Sequence, residues 1–465
     1  MKFNNIALTL ATAAILASLS SCHIYKKFEM PTDTPDTQEY AEVSKQAPDS
    51  AAFGNQQWQE LFTDPLLQDF IARALANNND LENARLNVEV ARANVLGARL
   101  SYLPSVALSA QGNLSKFHDV PGMTDWSKTY TIPLSISWEL DVFGKTLNRK
   151  RASEAALRLQ QDYQQAVRSQ IIGAVATTYY SISCLESQLT LSRETAELWK
   201  QSVQTMKDFK EAGRTTEAAV VQSEGQLYSI LAQIEELEAS LDAANNTFAL
   251  LLNESPRTYA IPENAHLAAP EILRDGVPMR ELAQRPDVRA AEESLAAAYY
   301  ATNSARANFY PSISFTSNGG FTNSVGSFIM NPGKWFENLA GSLMAPLFSR
   351  GQNIANLKGA KAQQQQALNN FRYKLLSAAA EVQDNIVSYD KQTQKASLLT
   401  KQVDALTKAV DYTNDLFVYG GGSTTYLEVL TAQSSLLSAQ MNYLSTELAR
   451  DRSLISLYQS LGGGR

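Results

Sequence analysis

One segment of this chain occurs twice, and this repeat constrains the fold more than any other feature of the sequence. Residues 285–315 are RPDVRAAEESLAAAYYATNSARANFYPSISF, and a related segment, NNDLENARLNVEVARANVLGARLSYLPSVAL, stands 207 residues earlier. The spacing is the same for Asp80 and Asp287 and for Pro104 and Pro311. A constant spacing over this length indicates that half of the chain is duplicated, so the fold must accommodate two copies of one unit.

Further landmarks extend the repeat over most of the chain. Gly144 and Gly351 keep the same spacing, each just after a strand-like run, and Gly213 and Gly422 match at a spacing of 209. Each half therefore consists of a helix, a β-hairpin, a very long helix, a glycine turn and a further helix. We place the first repeat at 66–252, a Pro-rich linker at 253–278 and the second repeat at 279–461.

The first 22 residues are typical of a bacterial lipoprotein leader. Lys2 supplies a basic end, residues 6–16 form a short apolar run, and Leu19-Ser20-Ser21 precede Cys22. The run is too short to span a membrane, so we predict a signal peptide at 1–21. Small residues before Cys22 predict its lipidation, which would tether the protein to a membrane; the alternative is a plain signal peptide with an incidental cysteine. Residues 22–65 are polar and are expected to lie extended along the body.

Two segments have a period of two, which is typical of β-strands. Residues 104–142 alternate apolar and polar side chains around a VPGMTDW turn, and residues 311–348 repeat this more weakly around NPGKW. Six aromatic residues lie near strand ends, as in the girdles of membrane barrels: Trp126, Tyr130, Trp138, Tyr310, Trp335 and Phe336. Ordinary soluble hairpins are the alternative. Four strands do not close a barrel, and lipid does not tolerate an open edge, so a membrane location requires several chains to share one barrel.

The longest predicted elements are two helices, at 145–212 and 352–417. In both, apolar residues recur at intervals of three and four, which predicts coiled-coil packing along the whole length. Each helix would be roughly 100 Å long, given the rise of an α-helix. The helices at 70–101 and 215–252 are too short to cover such a helix alone, so we expect short helices to meet end to end. The corresponding short helices of the second repeat are predicted at 286–308 and 424–461.

The composition gives little basis for catalysis or for binding nucleic acid. A net charge of −7 gives no reason to expect nucleic acid, and two cysteines with three histidines leave little for thiol or metal chemistry. No histidine has a recognisable catalytic spacing from a nucleophile or carboxylate, and no Gly-rich phosphate loop follows a strand. We therefore expect no enzyme activity, no cofactor and no metal site.

A set of short motifs runs in order along nearly all of the mature chain. They are the lipobox at Cys22, Tyr25 with Pro31, the segment 58–65, and LANNNDL, WELDVFGK, RPDVRAAE, NFYPSI and YLEVLTAQ. In this order the chain resembles the outer-membrane efflux proteins, the TolC-like factors, and within them the lipidated branch that serves resistance-nodulation-division pumps. The resemblance implies a mainly α fold with a small β part, in which duplicated antiparallel coiled-coil helices form an α-barrel. It also implies a homotrimer in which about twelve strands close one outer-membrane β-barrel.

The same resemblance implies a function. Such a protein is a passive exit duct in the outer membrane with a long periplasmic extension, docked to a periplasmic adaptor and to an inner-membrane pump that supplies the energy. The implied cargo is small molecules; the alternative within the family is the outer-membrane duct of a type I protein secretion system. A periplasmic adaptor has a single helical hairpin and a trimeric coiled-coil adhesin lacks the internal repeat, so both fit the sequence less well.

Two glycine turns reverse the long helices and are the predicted docking end of the protein. The reversals are KEAGRTTEAAV and VYGGGSTTYLEVL, where Gly213 and Gly422 supply left-handed backbone that a Cβ would oppose. By resemblance these turns meet the hairpin of the adaptor, through Gly213, Arg214, Gly420, Gly421, Gly422 and Ser423. The family also closes its tunnel with acidic residues just past the second turn, where this chain has Glu428. The alternatives are a helical turn without a partner and a solvated surface glutamate.

Overall fold

The computed structural model describes residues 23–46, 56–116, 126–267, 279–324, 335–419 and 425–464. The predicted signal peptide and Cys22 lie outside these ranges. Most residues of both predicted hairpin turns, residues 268–278 of the linker and the second glycine turn at 420–423 also lie outside them.

The described residues form two rounds of helix, strands, long helix and further helix. The helices before the first strands are α1 (Pro35–Val43), α2 (Trp58–Leu61), α3 (Pro65–Asn77) and α4 (Asn79–Leu100). Three strands, β1 (Ser105–Leu108), β2 (Gln111–Ser115) and β3 (Ser127–Leu140), precede α5 (Lys145–Glu211) and α6 (Glu217–Leu251). The second round contains α7 (Met279–Leu282), α8 (Pro286–Ala307), β4 (Ser312–Ser324), β5 (Trp335–Met344), α9 (Gln352–Tyr419) and α10 (Tyr426–Ser460).

The N-terminal segment, which we expected to be extended, contains short helices. His23–Tyr25 is one turn of 3-10 helix, and α1 begins at Pro35. A proline at the first helical position has its φ preset for a helix. The backbone N–H of Thr34 donates to Thr37 Oγ1 at 3.3 Å, and this bond helps to close the first turn. Local capping therefore produces a helix in a segment that has few large apolar side chains.

Each long helix begins just after a glycine with positive φ. The φ of Gly144 is 68° and that of Gly351 is 77°, a geometry that glycine adopts without steric cost. In the first repeat, the Asp141 carboxylate accepts hydrogen bonds from the backbone N–H groups of Thr146 at 3.0 Å and Leu147 at 2.6 Å. These bonds satisfy two donors of the first turn, which have no partner within the helix. Helices α5 and α9 then run for 67 and 68 residues.

The short helices meet end to end in both repeats, as expected. Asn78 Nδ2 donates to the carbonyl oxygen of Leu251, the last residue of α6, at 3.0 Å. Arg285, directly before α8, donates to the carbonyl oxygen of Ser460, the last residue of α10, at 2.6 Å. The helix expected over 70–101 is two helices, because Asn78 is extended, with a ψ of 129°, and its side chain caps α4.

The strands form one antiparallel sheet in the order β1, β3, β4, β5, with β2 also paired to β3. β1 and β2 are two parts of one predicted strand, and the break between them lies opposite Pro133, which has no N–H to donate. β3 and β4 join the two repeats in a register that pairs Thr129 with Ser324 and Leu140 with Ile313. A Cβ on Gly320 would lie 2.1 Å from the Ile132 carbonyl oxygen, so glycine is required where these strands approach closely.

The chain divides into two compact units. The first comprises the described residues within 1–31, 87–161 and 290–372 and contains the sheet. The second comprises the described residues within 32–86, 162–289 and 373–465. In the second unit, the rings of Phe70 and Phe248 lie 4.9 Å apart within an apolar core that also contains the buried Trp199. In the part of the chain that the structure describes, no helix is both long and apolar enough to cross a membrane.

Candidate functional site

The first glycine turn closes α5 with a defined hydrogen-bond pattern. Gly213 has a φ of 68°, the left-handed geometry expected for it. Its backbone N–H donates to the Lys210 carbonyl oxygen at 2.9 Å, and that of Arg214 donates to the Phe209 carbonyl oxygen at 2.8 Å. This pair of bonds is the Schellman motif, which satisfies carbonyls at a helix end. A Cβ on Gly213 would meet no atom within 4 Å, so backbone strain and not crowding opposes a side chain here.

Two ion pairs join α5 to α6 just behind this turn. Lys207 Nζ lies 2.9 Å from Glu224 Oε1, and Lys210 pairs with Glu217. The four side chains keep between 31% and 62% of their surface exposed. Exposed pairs contribute little stability in water, so these pairs chiefly favour one register of α5 against α6.

An aromatic cluster joins the ends of both long helices to the start of α10. The centroid of the Phe417 ring lies 5.7 Å from that of Phe209 and 5.2 Å from that of Tyr426. The guanidinium carbon of Arg214 lies 5.1 Å from the centroid of the Phe209 ring. We call these four residues the tip cluster. It contains side chains from both repeats, including one residue of the first glycine turn.

Glu428 lies beside the tip cluster in the chain, in the first turn of α10. Its backbone N–H donates to the Thr425 carbonyl oxygen at 3.0 Å, and its side chain is exposed. A carboxylate in the first turn of a helix is favoured by the positive end of the helix dipole. The predicted docking residues Gly420, Gly421, Gly422 and Ser423 lie outside the described residues, between Tyr419 and Thr425.

The sheet exposes large apolar side chains. On β3, Leu134 is 43% exposed and Trp138 is 41% exposed, at alternate positions of a strand in the middle of the sheet. Other exposed apolar residues occur along the remaining strands: Val106, Leu108, Leu114, Phe315, Leu339 and Leu343. Exposed apolar surface of this extent marks contact with lipid or with protein.

Both edges of the described sheet are unpaired. Among the strands that the structure describes, β1 and β2 pair only with β3, and β5 pairs only with β4. β3 has 14 residues and β5 has 10, against the roughly 9–11 residues that a tilted strand needs to cross a bilayer. Lipid does not tolerate unpaired backbone donors and acceptors, so a sheet of this kind needs further strands at each edge to enter a membrane.

Aromatic side chains mark both ends of the strands. Trp126 and Trp335 are each 58% exposed and lie next to the predicted hairpin turns. At the opposite end, Trp138 pairs across strands with Phe315, and the rings of Phe143 and Tyr310 stack at 5.2 Å. Two aromatic bands separated by an apolar stretch are the arrangement found at the interfaces of membrane barrels.

The residues that follow Cys22 are hydrogen-bonded to two helices of the first unit. Asn148 Nδ2 donates to the Ile24 carbonyl oxygen at 2.9 Å, and Arg151 donates to the Tyr25 carbonyl oxygen at 3.0 Å. The backbone N–H of Phe28 donates to the hydroxyl oxygen of Tyr300 at 3.0 Å. These bonds join the segment to both α5 and α8. Cys22 itself lies outside the described residues, and its lipidation stays a prediction.

The sequence analysis did not predict the tip cluster or the hydrogen bonds that join residues 24–28 to α5 and α8. Phe209 and Phe417 belong to the apolar repeats of the two long helices and lie near their ends, and that shared position was a usable signal. The bond from the Asn148 side chain to the Ile24 backbone carbonyl joins residues 124 apart, and neither residue belongs to a periodic pattern that would have revealed it.

A family model accounts for this architecture. The model described as outer membrane efflux protein matches residues 70–254 and again residues 277–463. The chain belongs to the outer membrane efflux protein family. The two matched segments repeat one model, with starts and ends spaced as in the internal repeat found in the sequence.

Individual family members resemble the chain over most of its length. It is 31% identical over 412 residues to the probable outer membrane lipoprotein SilC of Salmonella typhimurium, covering 88% of each chain. It is 29% identical to the solvent efflux pump outer membrane protein SrpC of Pseudomonas putida, over all of this chain and 99% of SrpC. A crystal structure of the CusC channel superposes with a TM-score of 0.82 at 28% identity, covering 94% of this chain and 98% of CusC.

Proposed function

We propose that this outer-membrane efflux channel works as a homotrimer, which docks through its glycine turns to a periplasmic adaptor and through it to an inner-membrane pump. The channel would conduct small molecules passively, while the pump supplies the energy. The observation that carries the proposal is the open-edged sheet with exposed apolar strands, combined with two helices of 67 and 68 residues.

The two unpaired edges of the described sheet support sharing of strands between subunits. The β5 edge of one copy must meet a different edge, that of β1 and β2, on the next copy, so the contact is head-to-tail and closes into a ring. One copy contributes a sheet about four strands wide, which is too narrow to close a barrel. Three copies provide about twelve strands, which supports a trimer. Native mass spectrometry of the detergent-extracted protein should give three copies. A monomer that forms a conducting pore by itself would contradict the proposal.

Glu428 is the proposed constriction residue. Its exposed side chain lies in the first turn of α10, and three copies around one axis would form a ring of carboxylates. Such a ring repels itself and attracts cations, an effect that salt weakens. In planar bilayers, Glu428→Ala should raise closed-state conductance several-fold and reduce block by divalent cations, with trimers intact. Unchanged conductance in confirmed trimers would remove Glu428 from the constriction.

Docking is proposed to use the first turn, at Gly213 and Arg214, together with residues 420–423. Gly213 is open to solvent on the side where a Cβ would stand, so a substitution there would strain the backbone without clashing inside the chain. Gly213→Val should abolish efflux in cells while leaving trimers in the membrane, whereas Gly97→Ala, in the interior of α4, should keep normal efflux. Export of a protein cargo with no effect on drug susceptibility would favour the alternative, a protein-secretion duct.

A further inference from the structure

The tip cluster connects two sites that the proposed function treats separately. Arg214 belongs to the first glycine turn, and Tyr426 lies two residues before Glu428 on the same helical turn. Between them the cluster is continuous, from Arg214 to Phe209 at 5.1 Å, then to Phe417 at 5.7 Å and to Tyr426 at 5.2 Å. The two ring–ring separations are ones at which aromatic pairs attract each other beyond the effect of burial alone, and the guanidinium of Arg214 lies within cation–π range of the Phe209 ring.

Phe417 is the central residue of this cluster. Its ring makes both aromatic contacts, at interplanar angles of 57° to Phe209 and 56° to Tyr426. The neighbouring large side chains of α9 do not share this environment, since Tyr412 is 66% exposed and Tyr419 is 83% exposed. Removal of the Phe417 ring would therefore break both aromatic contacts and leave the more exposed side chains of the same helix in place.

The contacts behind the first turn act within one repeat only. The pairs Lys207–Glu224 and Lys210–Glu217 join α5 to α6, so they resist separation of the two helices of the first hairpin. The contact between Phe209 and Phe417 instead joins α5 of the first repeat to α9 of the second. Tyr426 extends that contact to α10. A movement of one hairpin against the other at this end must therefore change the tip cluster.

We propose that Phe417 is a positioning residue of the gate: it holds the Glu428 end of α10 against α5 and couples that end to the first glycine turn. A partner that displaces Arg214 and Phe209 loosens the contacts of Phe417 and releases the turn that carries Glu428. The coupling is reciprocal, so a channel with a weakened cluster binds its adaptor more tightly. This inference rests on the proposed docking turn and constriction.

The first test measures conductance with the full-length protein in planar bilayers. Phe417→Ala should raise closed-state conductance several-fold, at least to the level of Glu428→Ala, with trimers intact by native mass spectrometry. Phe417→Tyr retains the ring and should restore the wild-type conductance. Tyr412→Ala, which removes an exposed ring from the same helix, is the matched control and should not change it. Wild-type conductance in Phe417→Ala trimers overturns the inference.

If Phe417→Ala does not assemble, Phe209→Leu removes the ring contact between the two repeats while keeping Phe417 and its contact with Tyr426. Phe209→Leu should likewise raise closed-state conductance, and wild-type conductance in its trimers overturns the inference.

A second test links the two repeats covalently. The pair Phe209→Cys and Phe417→Cys is joined with a short bis-maleimide, which should hold the channel at low conductance and abolish its response to an added adaptor. Burial raises the pKa of the native Cys184 thiol to about 11, so the reactive thiolate is scarce there at neutral pH. Cross-linked channels that still open with adaptor would refute the coupling.

The constriction at Glu428 and the positioning role of Phe417 give different results when one of them is wrong. If Phe417→Ala raises conductance and Glu428→Ala does not, the tip cluster holds the gate and the proposed constriction residue is wrong. If Glu428→Ala raises conductance and Phe417→Ala does not, the constriction stands and the positioning role of Phe417 is wrong.

Discussion

The two repeats make the same helix junction with different chemistry. In the first, Asn78 lies between α3 and α4 and donates to the last carbonyl of α6, at Leu251. In the second, Arg285 directly precedes α8 and donates to the last carbonyl of α10, at Ser460. Asn78 and Arg285 are 207 residues apart, so they are the same position of the duplicated unit.

The first junction is neutral. Asn78 is 7% exposed, and its Oδ1 atom accepts a hydrogen bond from the backbone N–H of Asp80 at 2.9 Å. One amide side chain thus caps the start of α4 and the end of α6 at once. Asn79 and Asn253 add a side-chain hydrogen bond of 3.2 Å nearby, on the exposed side.

The second junction is ionic. The Arg285 side chain is 6% exposed and lies 2.9 Å from Asp287 and 2.7 Å from Glu381. Lys374 Nζ approaches Asp287 at 2.9 Å. Although burial by itself would raise the pKa of Asp287, its hydrogen bonds and charge interactions with Arg285 and then Lys374 lower that pKa to about 2.

The difference shows that the duplicated fold specifies a geometric requirement and not a residue. Where a helix ends against the start of another, its last carbonyl needs a donor, because no further turn supplies one. A neutral amide meets that need with no buried charge. A buried arginine forms a stronger, charge-assisted bond. Its removal, however, leaves the carboxylates of Asp287 and Glu381 without this partner. Because those carboxylates can be protonated, the stability of this junction also depends on pH.

Of the substitutions at the two junctions, removal of Arg285 should lower the free energy of local opening the most. Arg285→Met keeps much of the side-chain volume but leaves the Ser460 carbonyl without this donor. Asp287 then loses its arginine partner and keeps Lys374 and the backbone N–H of Val288. Loss of one member of a buried pair typically costs about 3–5 kcal/mol, and we expect about 3 kcal/mol because Glu381 is 52% exposed. Amide hydrogen exchange around residues 286–289 measures this as a lower free energy of local opening.

Arg193→Met provides the control for charge loss. Arg193 pairs with Glu238 at 2.6 Å, but these side chains are 58% and 42% exposed. Its removal should cost less than about 1 kcal/mol, as for other exposed pairs. Equal destabilisation by the two substitutions would contradict the assignment of a special role to the buried arginine.

Acid should weaken the second junction through Asp287. The folded-state pKa of about 2 lies below the ordinary value of 3.8, so the stabilising contribution is present above about pH 4 and is lost as the pH falls toward 2. The shift corresponds to about 2 kcal/mol. Local opening around residues 286–289 should become easier by that amount between pH 5 and about pH 2, and Asp287→Asn should remove the dependence. An unchanged pH dependence in Asp287→Asn would place the titrating group elsewhere.

Much of this fold was predictable because it depends on periodicity. The interval of three and four in 145–212 predicted a helix that the structure places at Lys145–Glu211, and the alternation in 104–142 predicted strands. End-to-end meeting of short helices followed from comparing lengths. These features extend over many residues, so one exception does not change the pattern.

Features that depend on one or two residues were less predictable. The helix break at Asn78 falls inside an apolar pattern that continues on both sides, and the helix at Pro35 is formed by local capping in a polar segment. The tip cluster required knowledge of which helix ends meet. For the site, Gly213 followed from turn chemistry, whereas Glu428 as a constriction came from family resemblance and stays a prediction.

Among the changes at the two junctions, substitution of Asn78 should destabilise less than loss of Arg285 or protonation of Asp287. Asn78→Ala removes the cap of α4 and the donor to Leu251 together, and we expect a cost of about 1 kcal/mol, typical of a lost N-cap. Because Asn79 is exposed, solvent can partly hydrate the Leu251 carbonyl once Asn78 is gone. Removal of Arg285 instead takes a buried cationic partner away from Asp287 and Glu381. Hydrogen exchange around residues 79–82 gives the measurement, with Asn79→Ala as the control on the exposed side.

Asn78→Asp separates the two roles of the amide. The carboxylate keeps the acceptor for the Asp80 backbone N–H, where the helix dipole also favours it, but it has no donor for Leu251 and repels that carbonyl. If capping dominates, Asn78→Asp should be nearly as stable as the wild type, and if the bond between helices dominates, it should be worse than Asn78→Ala. The second result would mean that the neutral junction, like the ionic one, is held chiefly by the donor to the incoming helix.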